Sequence, residues 1–220
     1  MRARRGQQTW LLAPHTIRPN GPLPRFTHYE HGWLYGVWYC GTPYFPARVY
    51  GAYPGDFVKR VLTMFPAEGM LHLCCGEAWI QGAVNVDIRH TGAVDIQADA
   101  EALPFRDATF QSVLIDPPYS QEDATRYGRL RLIRYSKVMA EAHRVLVPSG
   151  SLLWLDEKYP AYNSKAWGLY GLVAIVTGFQ RRTRILAMLK TREGTDGRAG
   201  VGSSLPEREQ QAHRSGDPAR

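Results

Sequence analysis

Asp116-Pro117-Pro118-Tyr119 sets a carboxylate, a prolyl carbonyl and an aromatic ring within four residues, and each proline stiffens the backbone around it. Such a group can grip an amino group on a flat ring. The carboxylate of Asp116 and the carbonyl of Pro117 accept its two N–H bonds, Tyr119 stacks on the ring, and Pro118 completes the binding edge. An aromatic amine is a weak nucleophile because its lone pair is delocalised. Acceptor bonds that strengthen as the nitrogen becomes positive favour the transition state over the ground state. Stacking of a base on an aromatic ring adds about 1–3 kcal/mol. Upstream, Gly76, Asp87 and Asp99 have the order and spacing of a nucleotide-type site. A glycine there lets backbone approach a ligand, Asp87 can accept from ribose hydroxyls, and Asp99 can accept from an exocyclic adenine amine. Taken singly, each suits an ordinary turn or a solvated strand end; their order ahead of Asp116 joins them.

These residues need strand ends to hold them. Ser112-Val113-Leu114-Ile115 reads as a short buried strand closed by the prolines, and ligands bind at that edge of open α/β sheets. Leu71 to Cys75 reads as a first strand ending before Gly76, Ala83 to Ile88 as a second carrying Asp87, and Val94 to Ala98 as a short third before Asp99. Pro54 fits the first turn of a helix that runs to Phe65, buries Phe57, Val61 and Leu62, and stops at Pro66. A long helix is expected between about Ala124 and Val145, then a strand from Ser151 to Leu155. Leu172 to Thr177 and Arg184 to Leu189 read as an antiparallel pair. The pattern predicts an α/β fold with a mostly parallel sheet and an antiparallel edge strand. Only seven residues, Glu77 to Ala83, separate Gly76 from Val84. A crossover normally needs about 10–12 or more, so no full helix is expected there, and Trp79 and Ile80 are left to cover that face of the sheet.

The chain of 220 residues carries 27 Lys and Arg against 20 Asp and Glu, a net charge of +7. That balance suits an anionic partner such as nucleic acid, and equally a basic surface with an Arg-rich tail. No apolar run reaches the roughly 20 residues of a membrane helix. Three cysteines, two of them adjacent, give neither a disulfide framework nor a zinc spacing, so no metal is expected and a reducing, cytoplasmic setting is. Four stretches separate: a basic, Pro-rich arm over 1–28; an aromatic-rich lid or recognition segment over 29–52, with a strand from Leu34 to Cys40; a catalytic domain over 53–190; and a disordered tail over 191–220. Arg126 and Arg129, three apart, are expected on one helix face where a polynucleotide would run, or on a solvated face. Arg181, Arg182 and Arg184 form a second candidate patch. The aromatics of 29–52 serve either core and lid packing or base stacking. His72 and His143 are read as packing residues.

Leu71-His72-Leu73-Cys74-Cys75-Gly76, Val86-Asp87-Ile88, Ala98-Asp99-Ala100-Glu101-Ala102-Leu103-Pro104-Phe105 and Asp116-Pro117-Pro118-Tyr119 follow one another as in the Rossmann-like S-adenosylmethionine-dependent methyltransferases. The resemblance covers roughly residues 54 to 190. It implies that Cys74, Gly76, Asp87 and Asp99 bind S-adenosylmethionine and that Asp116, Pro117 and Tyr119 form the catalytic site. Within that family the Pro-Pro-aromatic motif is similar to that of enzymes methylating exocyclic amines, and a leading Asp leans toward adenine N6. The expected reaction is therefore N-methylation, with adenine in DNA favoured over RNA. Other expectations are an RNA, protein or small-amine acceptor, or a non-catalytic nucleic-acid-binding partner. The chain departs from the family's first loop: His72 stands where an acid is usual, and Cys74 and Ala78 where glycines are common.

Overall fold

In the computed structural model, the described residues are 23–41, 53–126, 129–177 and 183–192. Strands rich in apolar residues build one half of a sheet, with the two-residue β5 at its edge: β3 (Met70–Leu73), β4 (Val84–Asp87), β5 (Ile96–Gln97), β6 (Phe110–Ile115) and β7 (Leu146–Asp156). Both faces of β3, β6 and β7 are covered, so alternate residues enter different cores. Leu71, Leu73, Val113, Ile115, Leu152 and Trp154 join the core beneath one face. Met70, Leu114, Leu153 and Leu155 join the core beneath the other.

Together with β1 (Thr27–Glu30), β2 (Trp33–Tyr39), β8 (Trp167–Val176) and β9 (Arg184–Thr191), the order is β1-β2-β8-β9-β7-β6-β3-β4-β5. β5, β4, β3, β6 and β7 run parallel to one another, and β2 runs parallel to β8. β9 runs antiparallel to β7 and to β8, and β1 is antiparallel at the edge. The fold is thus the expected α/β, Rossmann-like sheet, mostly parallel with an antiparallel edge strand. The expected β8–β9 pair is present, but β9 lies inside the sheet. The chain passes from β3 outward to β5 and then returns to β6 on the other side of β3. Between β3 and β6 lies the switch point at which such sheets open a crevice.

Helix α1 (Phe57–Met64) packs on one face, burying Phe57, Val61 and Met64. Leu62 is only half-buried; Met64 takes the place expected for it. α3 (Tyr135–Val145) covers the other face with Val138, Met139, Ala142 and Val145. The single long helix expected over 124–145 is instead α2 (Gln121–Arg126) followed, after an irregular segment, by α3. The segment is drawn to one carboxylate: Arg129, Arg131 and Arg134 all bind Glu101.

The loop after β3 contains no helix, as its length requires. Ile80 is buried there, its N–H and C=O both held by the Asn85 side chain. Trp79 is 55% exposed and does not cover the sheet as expected. In the described part of the lid or recognition segment expected over 29–52, the strand read from Leu34 to Cys40 is part of the sheet and not a lid over it. Residues 33–39 are an integral strand, paired with β8 over six positions, with Leu34 and Trp38 buried against α1. Trp33, Tyr35 and Tyr39 stay exposed on the opposite face. The arm boundary at 28 likewise falls within β1, and Thr191, the first residue assigned to the tail, still belongs to β9. Residues 1–22 of the arm, residues 42–52 and the tail from 193 lie outside the described residues.

Candidate active site

A cavity of about 320 Å³ opens at the C-terminal ends of β3, β4 and β6, the position dictated by the switch point. Gly76, Asp87, Asp116, Tyr119, Arg129 and Arg184 are among its lining residues. At one end the backbone turns sharply after β3. Cys74 has φ 55° and Gly76 φ 57°, the left-handed region that favours glycine. Glycine meets that demand at Gly76, whereas Cys74 meets it with a side chain. Burial pushes the Cys74 thiol up, so it stays protonated and is no nucleophile.

The turn points one amide at Asp87, and the segment after β4 points another. The N–H of Gly76 donates to Asp87 Oδ2 at 2.9 Å, and the N–H of Arg89 donates to Oδ1 at 2.9 Å. Asp87 is buried, yet its oxygens keep lone pairs for further donors. Beneath the turn, His72 is fully buried between the Tyr53 hydroxyl (2.8 Å) and Asn85 Oδ1 (2.9 Å). Burial lowers its pKa to about 4 against the opposing bond to Asn85, so it is a neutral packing residue, as read from the sequence.

Asp99 and Arg129 depart from expectation. Asp99 Oδ1 accepts from Arg129 Nη1 at 2.6 Å, and Arg129 Nη2 donates to Glu101 at 2.9 Å. Ala98, Ala100 and Arg129 line the cavity here. Arg129 is therefore not the polynucleotide contact expected beside Arg126. Its side chain is 8% exposed, and the helix ends at Arg126. Arg126 itself is exposed and paired with Glu122 one turn away. Arg129 Nε is buried with no hydrogen-bond partner, an unsatisfied donor in a cavity-lining residue. Glu101, unnoticed in the sequence, gathers three arginines. Burial pushes its carboxyl up, but Arg131 and Arg134 prevail and hold it at about 2.

Asp116, Pro117, Pro118 and Tyr119 all line the cavity, at the tip of the strand next to the glycine turn. Their polar groups are already joined. The Tyr119 hydroxyl donates to Asp116 Oδ1. Arg184 Nη1, arriving from the start of β9, donates to Asp116 Oδ2 at 2.9 Å and to the Tyr119 hydroxyl at 2.8 Å. Arg184 belongs to this corner, not to a surface patch; Arg181 and Arg182 lie outside the described residues. Burial pushes the Asp116 carboxyl up to about 6 against the pull of Arg184 and Tyr119. Burial likewise raises the Tyr119 hydroxyl, with Asp116 adding to it. Among the described residues no cluster of His, Cys, Asp and Glu could hold a metal, and no helix is long and apolar enough to cross a membrane.

Fold and crevice together define an α/β ligand-binding domain with its site at the switch point. No protein-family model matches the chain. A 105-residue stretch, 47% of the chain, is 32% identical to the ubiquinone/menaquinone biosynthesis C-methyltransferase UbiE of Blochmanniella pennsylvanica. That stretch spans 35% of the relative, so the chain matches about a third of that protein's length. Solved structures similar to the chain include the N-methyltransferase NodS from Bradyrhizobium japonicum WM9 in complex with S-adenosyl-L-homocysteine. It shares 12% identity over 57% of this chain and 79% of that one, with a TM-score of 0.41. Another is the 1,6-didemethyltoxoflavin-N1-methyltransferase of Burkholderia thailandensis with 1,6-didemethyltoxoflavin and S-adenosylhomocysteine. There the identity is 13% over 56% of this chain and 71% of that one, with a TM-score of 0.35.

Proposed function

We infer that this chain is an S-adenosylmethionine-dependent methyltransferase that presents its acceptor at the Asp116-Pro117-Pro118-Tyr119 corner. One observation carries the reading: a single cavity joins the Gly76–Asp87 turn to that corner. The 32% identity to a C-methyltransferase supports the same class.

The residues present fit the cofactor. Gly76 leaves its side of the turn open, for a Cβ there would meet only Arg89 Nη2, at 3.7 Å. Asp87, fixed by two amides, accepts from ribose hydroxyls. Arg129 Nε is a buried donor suited to a ring nitrogen. Bound S-adenosylmethionine supplies a methyl group on a good leaving group, so the chain's main task is to align the acceptor with it.

The narrower expectation, adenine N6 in DNA, rests on the motif and on the net charge of +7. With Arg129 turned inward, the basic balance alone favours nucleic acid as the carrier of the acceptor. A small conjugated acceptor fits the cavity and the UbiE likeness better.

Calorimetry with S-adenosylmethionine, followed by transfer of tritiated methyl into DNA, RNA, protein and small-molecule pools, tests the reading. Saturable binding and label in one pool are expected. No heat at millimolar cofactor defeats it. Label in DNA that falls steeply with salt restores nucleic acid as the acceptor.

A further inference from the structure

We propose that the nucleophile received at this corner is the ionised oxygen of an acidic hydroxyl, a phenol or an enol, and that Arg184 and Tyr119 hold it. The inference rests on the methyl-transfer reading above and names its substrate class. It begins from the guanidinium. Arg184 spends one nitrogen, Nη1, on both Asp116 and Tyr119, and is itself one of the residues that line the cavity. The pair is enclosed, with side-chain exposures of 17% for Arg184 and 11% for Asp116.

That pairing changes which acceptor the corner favours. An amine gains positive charge as it takes a methyl, and the attraction of Asp116 is then offset by the repulsion of Arg184 bonded to it. A hydroxyl reacts differently. Its proton passes to Asp116, whose carboxyl burial has already made a better base than an ordinary aspartate. The net charge of the corner is unchanged by that exchange, because Arg184 is released from one anion to face another. The oxygen's electron pair then forms the bond to the transferred methyl carbon. The C–S bond breaks with its pair left on sulfur, and the two opposite charges cancel. Once the proton is on Asp116, Arg184 and the Tyr119 hydroxyl, now bonded to that carboxyl, have only to turn to the oxyanion beside it and then oppose its charge as donors. The group gripped at the corner is also the group presented to the methyl, so the oxygen is the atom methylated.

The test compares two dyes of the same shape, 4-nitrophenol and 4-nitroaniline, on the full chain with and without S-adenosylmethionine. At a pH where free 4-nitrophenol is mostly protonated, the bound dye is expected to show the absorbance of its anion and to bind at least tenfold tighter than 4-nitroaniline. Tritium from the cofactor is expected in 4-nitrophenol and not in 4-nitroaniline. Arg184→Gln should remove the anion signal and lower transfer by about 10²–10³-fold. Arg184→Lys should keep part of both. Tyr119→Phe, which leaves the ion pair intact, should weaken the signal less than Arg184→Gln, and it serves if the arginine variant does not fold. A dye bound only in its protonated form, an anion signal indifferent to both variants, preference for the aniline, or label in neither dye overturns the inference. The two levels separate cleanly. Cofactor heat with aniline preferred defeats the oxygen nucleophile alone, whereas an anion signal without cofactor heat defeats the methyl-transfer reading.

Discussion

Asp87, buried, and Asp116, nearly so, are carboxylates at the tips of strands that flank β3, and each has an arginine beside it. Yet they take their hydrogen bonds from different kinds of donor. Asp87 takes its hydrogen bonds from two backbone amides of its own neighbourhood. Asp116 takes one from Tyr119, three residues on, and one from Arg184, 68 residues away. Main-chain donors are fixed by the turn and cannot leave, so Asp87 is a rigid acceptor suited to a ligand that is the same every time. Side-chain partners can swing from one acceptor to another. The corner around Asp116 is therefore where substrate and protein exchange bonds.

Removing Asp116 should break this comparison most severely. Asp116→Ala leaves the Arg184 guanidinium enclosed without a counter-charge, and losing one partner of a buried pair costs about 3–5 kcal/mol. Urea titration should show it, and the double variant Asp116→Leu with Arg184→Met should recover most of the loss without restoring activity. The pH dependence carries a definite sign. The folded-state value of Asp116, about 6, lies above its ordinary 3.8. Its contribution is thus fully present below about 3.8 and is lost as pH rises through 6. Asp116→Asn should flatten the stability curve across that window; an unchanged slope would mean the carboxyl is not desolvated.

On the other side of β3, Asp87→Asn should cost less, about 2–3 kcal/mol. One oxygen becomes an NH₂ that faces a backbone N–H, and a charge-assisted bond turns into a donor–donor clash. The same change should weaken S-adenosylmethionine at least tenfold by calorimetry and leave the 4-nitrophenol signal at Arg184 intact. Equal damage to both ligands would show that the two ends of the cavity are not independent.

Glu101 sharpens the contrast: besides the backbone N–H of Arg134 it is held by three arginine side chains, two of which reach water. Its carboxyl is 4% exposed, but Arg131 and Arg134 are about half exposed and can return to water. Only Arg129 would remain enclosed. Glu101→Gln should cost about 1–2 kcal/mol at neutral pH, within the range for hydrogen bonds to charged groups. Because the folded value, about 2, lies below the ordinary 4.5, the stability is present above 4.5 and lost as pH falls through about 2. Acid unfolding monitored by circular dichroism should be less steep in the variant across that interval.

What could be read from the sequence follows the same division. The sheet was legible because buried parallel strands leave near-continuous apolar runs, and the glycine turn, Asp87 and the proline corner each announce themselves within a few neighbouring residues. The short loop after Gly76 correctly excluded a crossover helix by length alone. Arg129 and Arg184 were misplaced as surface charge because a buried arginine is recognised only through its partner, and those partners, Asp99 and Asp116, lie 30 and 68 residues distant. Glu101 escaped for the same reason. The break in the long helix was hidden too, since what draws residues 129–134 away is Glu101 across the fold. Among the aromatics of 29–39, the alternation that buries Leu34 and Trp38 and exposes Trp33, Tyr35 and Tyr39 has period two and marked a strand. Its partner, β8, was not to be found locally.

The smallest expected effect concerns the one position in the glycine turn that sequence singled out and the structure explains. Cys74 holds φ 55°, a conformation costing a residue with a Cβ about 1–2 kcal/mol. Its thiol returns part of that by packing against the core beneath the sheet. Cys74→Gly should remove the strain and forfeit the packing, for a net gain of about 0.5–1 kcal/mol, a rise in Tm of about 1–3 °C in a domain of this size. Cys74→Ala is the control that decides the cause. It forfeits the sulfur but keeps the Cβ, so it should lose stability where glycine gains it. If the two variants melt together, backbone strain is not what distinguishes this end of the cavity, and the rigidity assigned to the Asp87 turn must come from its amides alone.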